Sequence, residues 1–472
     1  MERDTKTPSL TNTADALRAV ADLIEAAESA ARETPLKPRV PPAQLVTEFD
    51  GRFPDEGMSD AGWLALMDRV VQLSPASTGP ACFNLLLGSR IPSAVASEAL
   101  VAFLNNTMHT YKAAGVHVLI ESLLIKRLNE WVGYEGGEGV MVPGGSVSIL
   151  VAMAIARNKM CPQAVSQGSD GRRYVVYRSA DAHYSVDRAA GILGIGRDNV
   201  RAIPTRDDGR MNLVELRTAM ERDIAAGAVP IMVQATAGTT VRGAFDDLRA
   251  ISALCVEFGV WMHVDAAYGG ATLVSETHRH LMDGAHLADS LTWDCHKLMG
   301  VPVVASFYLS RHVGLLEEGF AAAAPYLLQA DGNEWNPSVR SMQTGRRNDA
   351  LKVWATLRYH GLNETAARVD RLFRMTAHAR RIVLDDPDMK LFCEPQYVNL
   401  CFYVKGKSSA RVCNELDRRG LMMCSYGSVG ERKPIRLALV NPDLADVDVD
   451  GFFAAVREVA AGLPDEAEDF VP

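Results

Sequence analysis

The stretch VWMHVDAAYGG, Val260–Gly270, decides the fold. It opens with apolar and aromatic residues that suit a buried strand, sets one carboxylate, Asp265, where that run stops, and closes on a glycine pair that suits a turn. Runs of the same kind recur as YVVYRS at 174–179, VPIMVQATAG at 229–238 and VVASFYLS at 303–310, with helical patterns between them. Strands alternating with helices predict crossover units and a largely parallel sheet covered by helices. In such a sheet ligands bind beyond the carboxyl ends of the strands, so Asp265 is expected at the mouth of a crevice.

Composition narrows the function. The chain has 472 residues, 48% of them hydrophobic, enough for a large core spread over two or three domains or one domain with appendages. A formal charge of -9, with basic residues scattered along the chain, argues against a nucleic-acid surface. No apolar run reaches the roughly 18–20 residues of a membrane span. The opening MERDTKTPSLTNTADALRAV has no apolar leader core, so no membrane association and a cytoplasmic location are expected. Eight cysteines with no C-x-x-C pair read as buried thiols rather than a disulfide framework or a zinc site.

Three parts are expected. Residues 1–100 hold an amphipathic stretch, the proline-rich link ETPLKPRVPP and a segment ending in GPACFNLLLGSRIP, and suggest an N-terminal arm. Residues 101–365 carry the alternation of strands and helices and form the large domain. Within 366–472, a basic amphipathic helix around 364–383 leads into the short strands YVNLCFYV and IRLALV and the helix VDGFFAAVREVAAGL, which predict a small C-terminal α+β domain.

The chemistry starts from Asp265 and the later block SLTWDCHKLMG, 290–300, which sets Lys297 just past another strand-like run. The two can face one crevice. A lysine beside a cofactor aldehyde forms an imine, and an aspartate can keep a pyridine nitrogen protonated, so the pair suits pyridoxal phosphate. VPGGSVSILVAMAIARNKM, 142–160, places two glycines and Ser146 before an apolar helix, whose N-terminus could receive a phosphate. His183, in SADAHYSV after the strand YVVYRS, could cover the ring face.

Other residues invite functional readings and have plainer ones. His278 and His280 suggest a metal site, but residues two apart do not share a helix face, and no metal is expected. GILGIGRDN, 191–199, lacks the full G-x-G-x-x-G pattern and reads as a turn. Cys295 beside His296 reads as a buried thiol, since neighbours on a strand point to opposite faces.

The ordered blocks NTMHTYKAAGVHVLIE, VPGGSVS, AHYSV, ATAGTTVRGAFDD, WMHVDAAYGG, SLTWDCHKLMGVP, MQTGRRNDALKVW and IRLALVNP carry a family likeness from about residue 60 to 465. The chain resembles the group II pyridoxal-phosphate-dependent amino-acid decarboxylases, and among them the glutamate and cysteine-sulfinate decarboxylase branch. The resemblance implies the aspartate aminotransferase-like fold type I, a mainly parallel α/β architecture with an N-terminal arm and a small C-terminal domain. It implies that Lys297 is the Schiff-base lysine, Asp265 the partner of the ring nitrogen and His183 the residue stacked on the ring. Gly145, Ser146 and His296 match phosphate-binding positions, and Thr236 and Ala267 match positions beside the ring. Gly345 in QTGRR matches a loop that reaches the partner's phosphate site, which implies a homodimer with shared active sites. Arg436 matches the arginine that binds a substrate carboxylate, and Asn84 with Leu85 occupies the substrate-contacting segment.

The chain departs from the family pattern at three places. Leu85 stands where the glutamate-decarboxylase branch has a glutamine that contacts substrate. Trp335 stands where the family's mobile loop carries a tyrosine proposed to return the proton, and either Tyr326, upstream in the same loop, or a histidine is the substitute donor. Asp294 stands where animal relatives have asparagine, near the phosphate, where a carboxylate is repelled unless it turns away. An L-amino-acid α-decarboxylase, acting on an acidic or small polar substrate, is therefore expected. Trp335 raises the alternative of decarboxylation-dependent transamination or oxidative deamination, and a non-catalytic relative is disfavoured by intact Lys297, Asp265 and His183.

Overall fold

A computed structural model describes residues 10–33, 36, 40–49, 51, 53, 55–321 and 335–466. Seven strands form the central sheet: β1 (Glu138–Val142), β2 (Tyr174–Ser179), β3 (Val200–Ile203), β4 (Val229–Thr236), β5 (Trp261–Asp265), β6 (Ser290–Asp294) and β7 (Ser306–Ser310). Their order is β1-β7-β6-β5-β4-β2-β3. From β3 to β6 every pairing is parallel, and β7 runs antiparallel to both of its neighbours, β6 and β1. The expected largely parallel sheet is present with this one reversed strand.

The strands read as near-continuous apolar runs because helices bury both faces. Alternation persists within each run. On β2, Val175 and Tyr177 join one apolar cluster, while Tyr174 and Val176 join a second on the opposite face. The second face is covered by the helix Gly145–Met160, whose Ile149, Met153 and Ala156 belong to that cluster. Pro230 sits near the start of β4, where its missing N–H cannot serve the ladder, and the register between β2 and β4 slips there by one residue. The crossover helices carry clear start signals. Asn212 accepts from the Val214 and Glu215 amides, and Asp247 accepts from the Ala250 amide at 3.1 Å.

The second sheet has the order β10-β11-β9-β8 and is antiparallel, built from β8 (Met389–Leu391), β9 (Asn399–Val404), β10 (Ser425–Tyr426) and β11 (Ile435–Ala438). The basic helix expected around 364–383 is the later part of a helical stretch, Ala350–Asp385, bent at Gly361 (φ 72°). The boundary drawn at 365/366 therefore falls inside that helical stretch. The segment read as an arm does more than wrap the surface. Residues 81–83 bridge to Met423, the Phe83 carbonyl accepts from Ala438, and the Phe83 ring packs 5.1 Å from Phe452. Farther along, the Gly88 amide donates to the Lys297 carbonyl, and a Cβ on Gly88 would collide with that oxygen, so glycine is required there.

One polar chain crosses the buried face beneath Asp265. Trp261 Nε1 donates to Ser290 Oγ (2.9 Å), and Ser290 Oγ lies 2.8 Å from His263 Nδ1. His263 Nε2 lies 3.0 Å from Thr292 Oγ1, which donates to Ser148 Oγ (2.7 Å), which donates to the Phe307 carbonyl (3.2 Å). The directions fix the tautomer. Thr292 spends its proton on Ser148, so it accepts from Nε2–H, while Ser290 donates to Nδ1, and a neutral imidazole satisfies every group.

Candidate active site

Three adjacent strands end at one place. Thr236 closes β4, Asp265 closes β5 and Asp294 closes β6, with Thr236 opposite Asp265 in the register. Because side chains alternate across a strand, Asp265 shares the face of Trp261 and His263, and Asp294 that of Ser290 and Thr292, so both carboxylates lie toward the helix Gly145–Met160. A cavity of about 290 Å³ opens there, walled in part by Gly145, Ser146, His183, Thr236, Asp265, Ala267, His296 and Lys297. Eight residues named from the sequence thus surround one space.

Four of them are held by local contacts. Asp265 Oδ1 accepts from the Ala267 amide (3.1 Å), and Gln234 Nε2 reaches Oδ2 at 3.5 Å. Burial pushes the Asp265 carboxyl above its ordinary range, against the pull of the Lys297 ammonium, so the site favours a cation beside this group. Burial also holds the His183 and His296 imidazoles below their usual value, which keeps them neutral. His183 Nδ1 accepts from the Ser185 amide at 3.3 Å, and His296 Nδ1 accepts from the Ala305 amide at 3.2 Å. Lys297 Nζ stands 3.2 Å from Asp294 Oδ2. Asp294 does not turn away from the helix start, since a Cβ on Gly145 would lie 2.8 Å from its Oδ2; its charge is met instead by the lysine and by Ser306, whose hydroxyl donates to Oδ1 at 2.6 Å.

The remaining sequence candidates lie elsewhere. Arg436 is 9% exposed and reaches the cavity wall through Thr240, whose carbonyl it binds at 3.0 Å. Its other contacts are the carbonyl and side-chain oxygens of Asn84. Leu85 is 37% exposed and is not on the wall of the cavity. Gly345 lies outside it, nearest Thr107. Trp335 lines a separate space of about 450 Å³ with Glu121, Glu138 and Asn336. Tyr326 lies outside the described residues.

The plainer readings fare simply. Cys295 is fully buried and its thiol is pushed up by burial, His278 stacks on Phe373 at 3.5 Å, and the glycines at 194 and 196 take positive φ in a turn. Sequence reasoning missed Tyr184, Thr240 and Tyr268, which also line the cavity. Their signal was available, since each follows a strand end inside a quoted block.

Known proteins resemble this chain in both sequence and fold. The family model described as the pyridoxal-dependent decarboxylase conserved domain matches residues 49–405. A cysteine sulfinic acid decarboxylase of Mus musculus is 34% identical over 432 residues, covering 87% of this chain and 88% of its own. An acidic amino acid decarboxylase of Mus musculus is 36% identical over 368 residues, covering 77% and 67%. The crystal structure of mouse CSAD in apo form superposes with a TM-score of 0.88 at 30% identity, covering 94% of this chain and 100% of that one. The fold is that of the fold type I pyridoxal-phosphate enzymes.

The cavity fits that cofactor. Thr236, on the cavity wall, has a buried hydroxyl with no hydrogen-bond partner among the described residues, as a ligand-binding wall can leave. The helix Gly145–Met160 starts at Gly144 (φ 108°) with no side-chain cap, which leaves amide donors for a phosphate. The cavity also holds an amine, Lys297, and a carboxylate, Asp265, groups of the kinds that suit an aldehyde and a ring nitrogen.

Proposed function

The chain belongs to the pyridoxal-dependent decarboxylase family, and we propose that within it the substrate is a small acidic L-amino acid. The enzyme is a carboxy-lyase that uses pyridoxal phosphate to release carbon dioxide from an amino acid. Relatives named for cysteine sulfinic acid and acidic amino acids support the acidic preference, and Arg436 supplies the anion site, for the α-carboxylate or an equivalent acidic group. Its guanidinium is buried, and among the described residues its contacts are neutral oxygens of Thr240 and Asn84 and its Nε has no partner. Burial pulls it below its usual value, and a buried cation of this kind calls for an anion. A substrate carboxylate or sulfinate supplies one, with a geometry suited to the planar guanidinium.

Pyridoxal phosphate supplies an aldehyde for the substrate amine and a ring that accepts the electrons left when carbon dioxide departs. The protein does the rest. Asp265 keeps the proton on the ring nitrogen, and neutral His183 covers the ring face. Ser146 and the free amides of the helix start hold the phosphate, with His296 beside them, while Thr236 and Ala267 flank the ring. Arg436 fixes the substrate's anion, and so decides which bond of the α-carbon stands perpendicular to the ring. The alternative of transamination or oxidative deamination is not favoured.

Leu85 lies off the cavity wall but follows Asn84, whose oxygens hold Arg436, and it leaves this segment without the amide found in the glutamate branch. A substrate group that loses its hydrogen-bond partner costs about 1–3 kcal/mol, roughly ten- to a hundredfold in discrimination. Aspartate and cysteine sulfinate are therefore ranked ahead of glutamate, and all three ahead of tyrosine. Carbon dioxide release measured on these four amino acids tests the ranking, and glutamate with the highest kcat/KM would overturn it.

The working unit is a homodimer with shared active sites. Gly345 standing outside its own chain's cavity supports this, as do the exposed apolar side chains Leu100, Phe103 and Leu123 on the helices Pro92–Leu104 and Val116–Val132. Among the described residues no helix is long and apolar enough to cross a membrane. That supports a cytoplasmic location.

A further inference from the structure

The sheet presents two carboxylates to the cavity, and only Asp265 has a task in the chemistry above. Asp294 is 4% exposed and pinned from three sides. Ser306, its register partner on β7, donates to Oδ1 at 2.6 Å; Lys297 Nζ lies 3.2 Å from Oδ2; and a Cβ on Gly145 would lie 2.8 Å from Oδ2. The carboxylate has little room to leave the lysine.

We propose that Asp294 is a positioning residue that keeps the Lys297 nitrogen protonated, both while it is joined to the cofactor and after the substrate amine has displaced it. The cavity then holds one carboxylate for each nitrogen, Asp265 for the ring and Asp294 for the lysine. When the substrate ammonium takes the lysine's place, the incoming nitrogen gives up two protons and the outgoing one, already carrying one, takes up two. Lys297 leaves as an ammonium that Oδ2 is already placed to receive. An asparagine could still accept from Ser306, yet it would turn an N–H toward the lysine and carry no charge.

Asp265 also feels the Lys297 ammonium, but Asp294 is the carboxylate within 3.2 Å of it, and His183 and His296 are kept neutral by burial. Tyr184 lines the cavity without charge. Arg188, on the helix after His183, and Lys352, whose ammonium is paired with Glu98 (2.7 Å) and Asp349 (3.3 Å), are cations and oppose a protonated lysine.

The inference rests on Lys297 being the cofactor's lysine, and one titration separates the two ideas. The visible band of the holoenzyme is followed against pH in the wild type, Asp294→Asn and Asp294→Ser, with circular dichroism identifying folded variants. Removing an opposite charge at this distance is expected to lower the midpoint by about 1–3 pH units in either variant. A folded variant whose midpoint stays within about 0.3 pH unit of the wild type, well below the shift an adjacent charge produces, would overturn the role of Asp294 alone. A band that persists in Lys297→Ala would overturn the lysine assignment and the inference together.

Discussion

Acid should unfold this protein partly through His263, and the size of the effect follows from its surroundings. The imidazole is fully buried, and burial holds it down from the usual 6.5 to about 3. Between those values the unfolded chain binds the proton and the folded chain does not, so stability present above pH 6.5 is lost as the pH falls toward 3. At about 1.4 kcal/mol per unit, the loss is about 2 kcal/mol by pH 5 and about 3 kcal/mol by pH 4. The hydrogen-bond chain explains the resistance. A second ring proton would point at the hydroxyl hydrogen of Ser290, whose oxygen already accepts from Trp261. His263→Gln keeps polar atoms at the site without a titrating group. Urea unfolding at pH 7.5, 5 and 4, followed by circular dichroism, should show the wild type losing about 2–3 kcal/mol more than the variant over that interval. Parallel losses in the two proteins would show that His263 takes up its proton in the native state at an ordinary pH.

Three further outcomes are expected. Asp265→Ala should fold and lose about 10²–10³ in turnover, because a preorganised electrostatic contact with the ring is gone; a fall below tenfold would mean the ring is held otherwise. Gly145→Ala should weaken pyridoxal phosphate binding at least about tenfold in a fluorescence titration, since the new Cβ would lie 2.8 Å from Asp294 Oδ2, on a carboxylate whose other oxygen Ser306 holds; unchanged affinity would refute that close approach. Sedimentation should give a homodimer, and a fully active monomer would remove the shared-site reading of Gly345.

The strands of the large sheet were legible because they are buried on both faces and bounded by turn residues, and the cavity was legible because its residues follow those strand ends. The reversal of β7 was not, since VVASFYLS has the same apolar character whichever way it runs. Nor was the bend at Gly361, where the apolar period continues on both sides. The pairing of Asp294 with Lys297 was missed for a different reason. The carboxylate was judged against a phosphate, while its nearest partners, Ser306 and Lys297, lie within a few residues of the β6–β7 turn. Arg436 could be placed in the site only by likeness, because nothing local in IRLALV says that its side chain ends against Thr240.

The reversal of β7 also bears on how the site assembles. Parallel neighbours in this sheet wait for a crossover to fold between them, and long-range pairing of that sort is slow. β6 and β7 are joined by residues 295–305 alone, the shortest connection between neighbouring strands of the central sheet. A hairpin of that kind can form early, on the timescale of local contacts. The segment that carries Lys297, with Asp294 and Ser306 already opposed, is thus the part of the active site that can take shape before the rest of the sheet has closed around it.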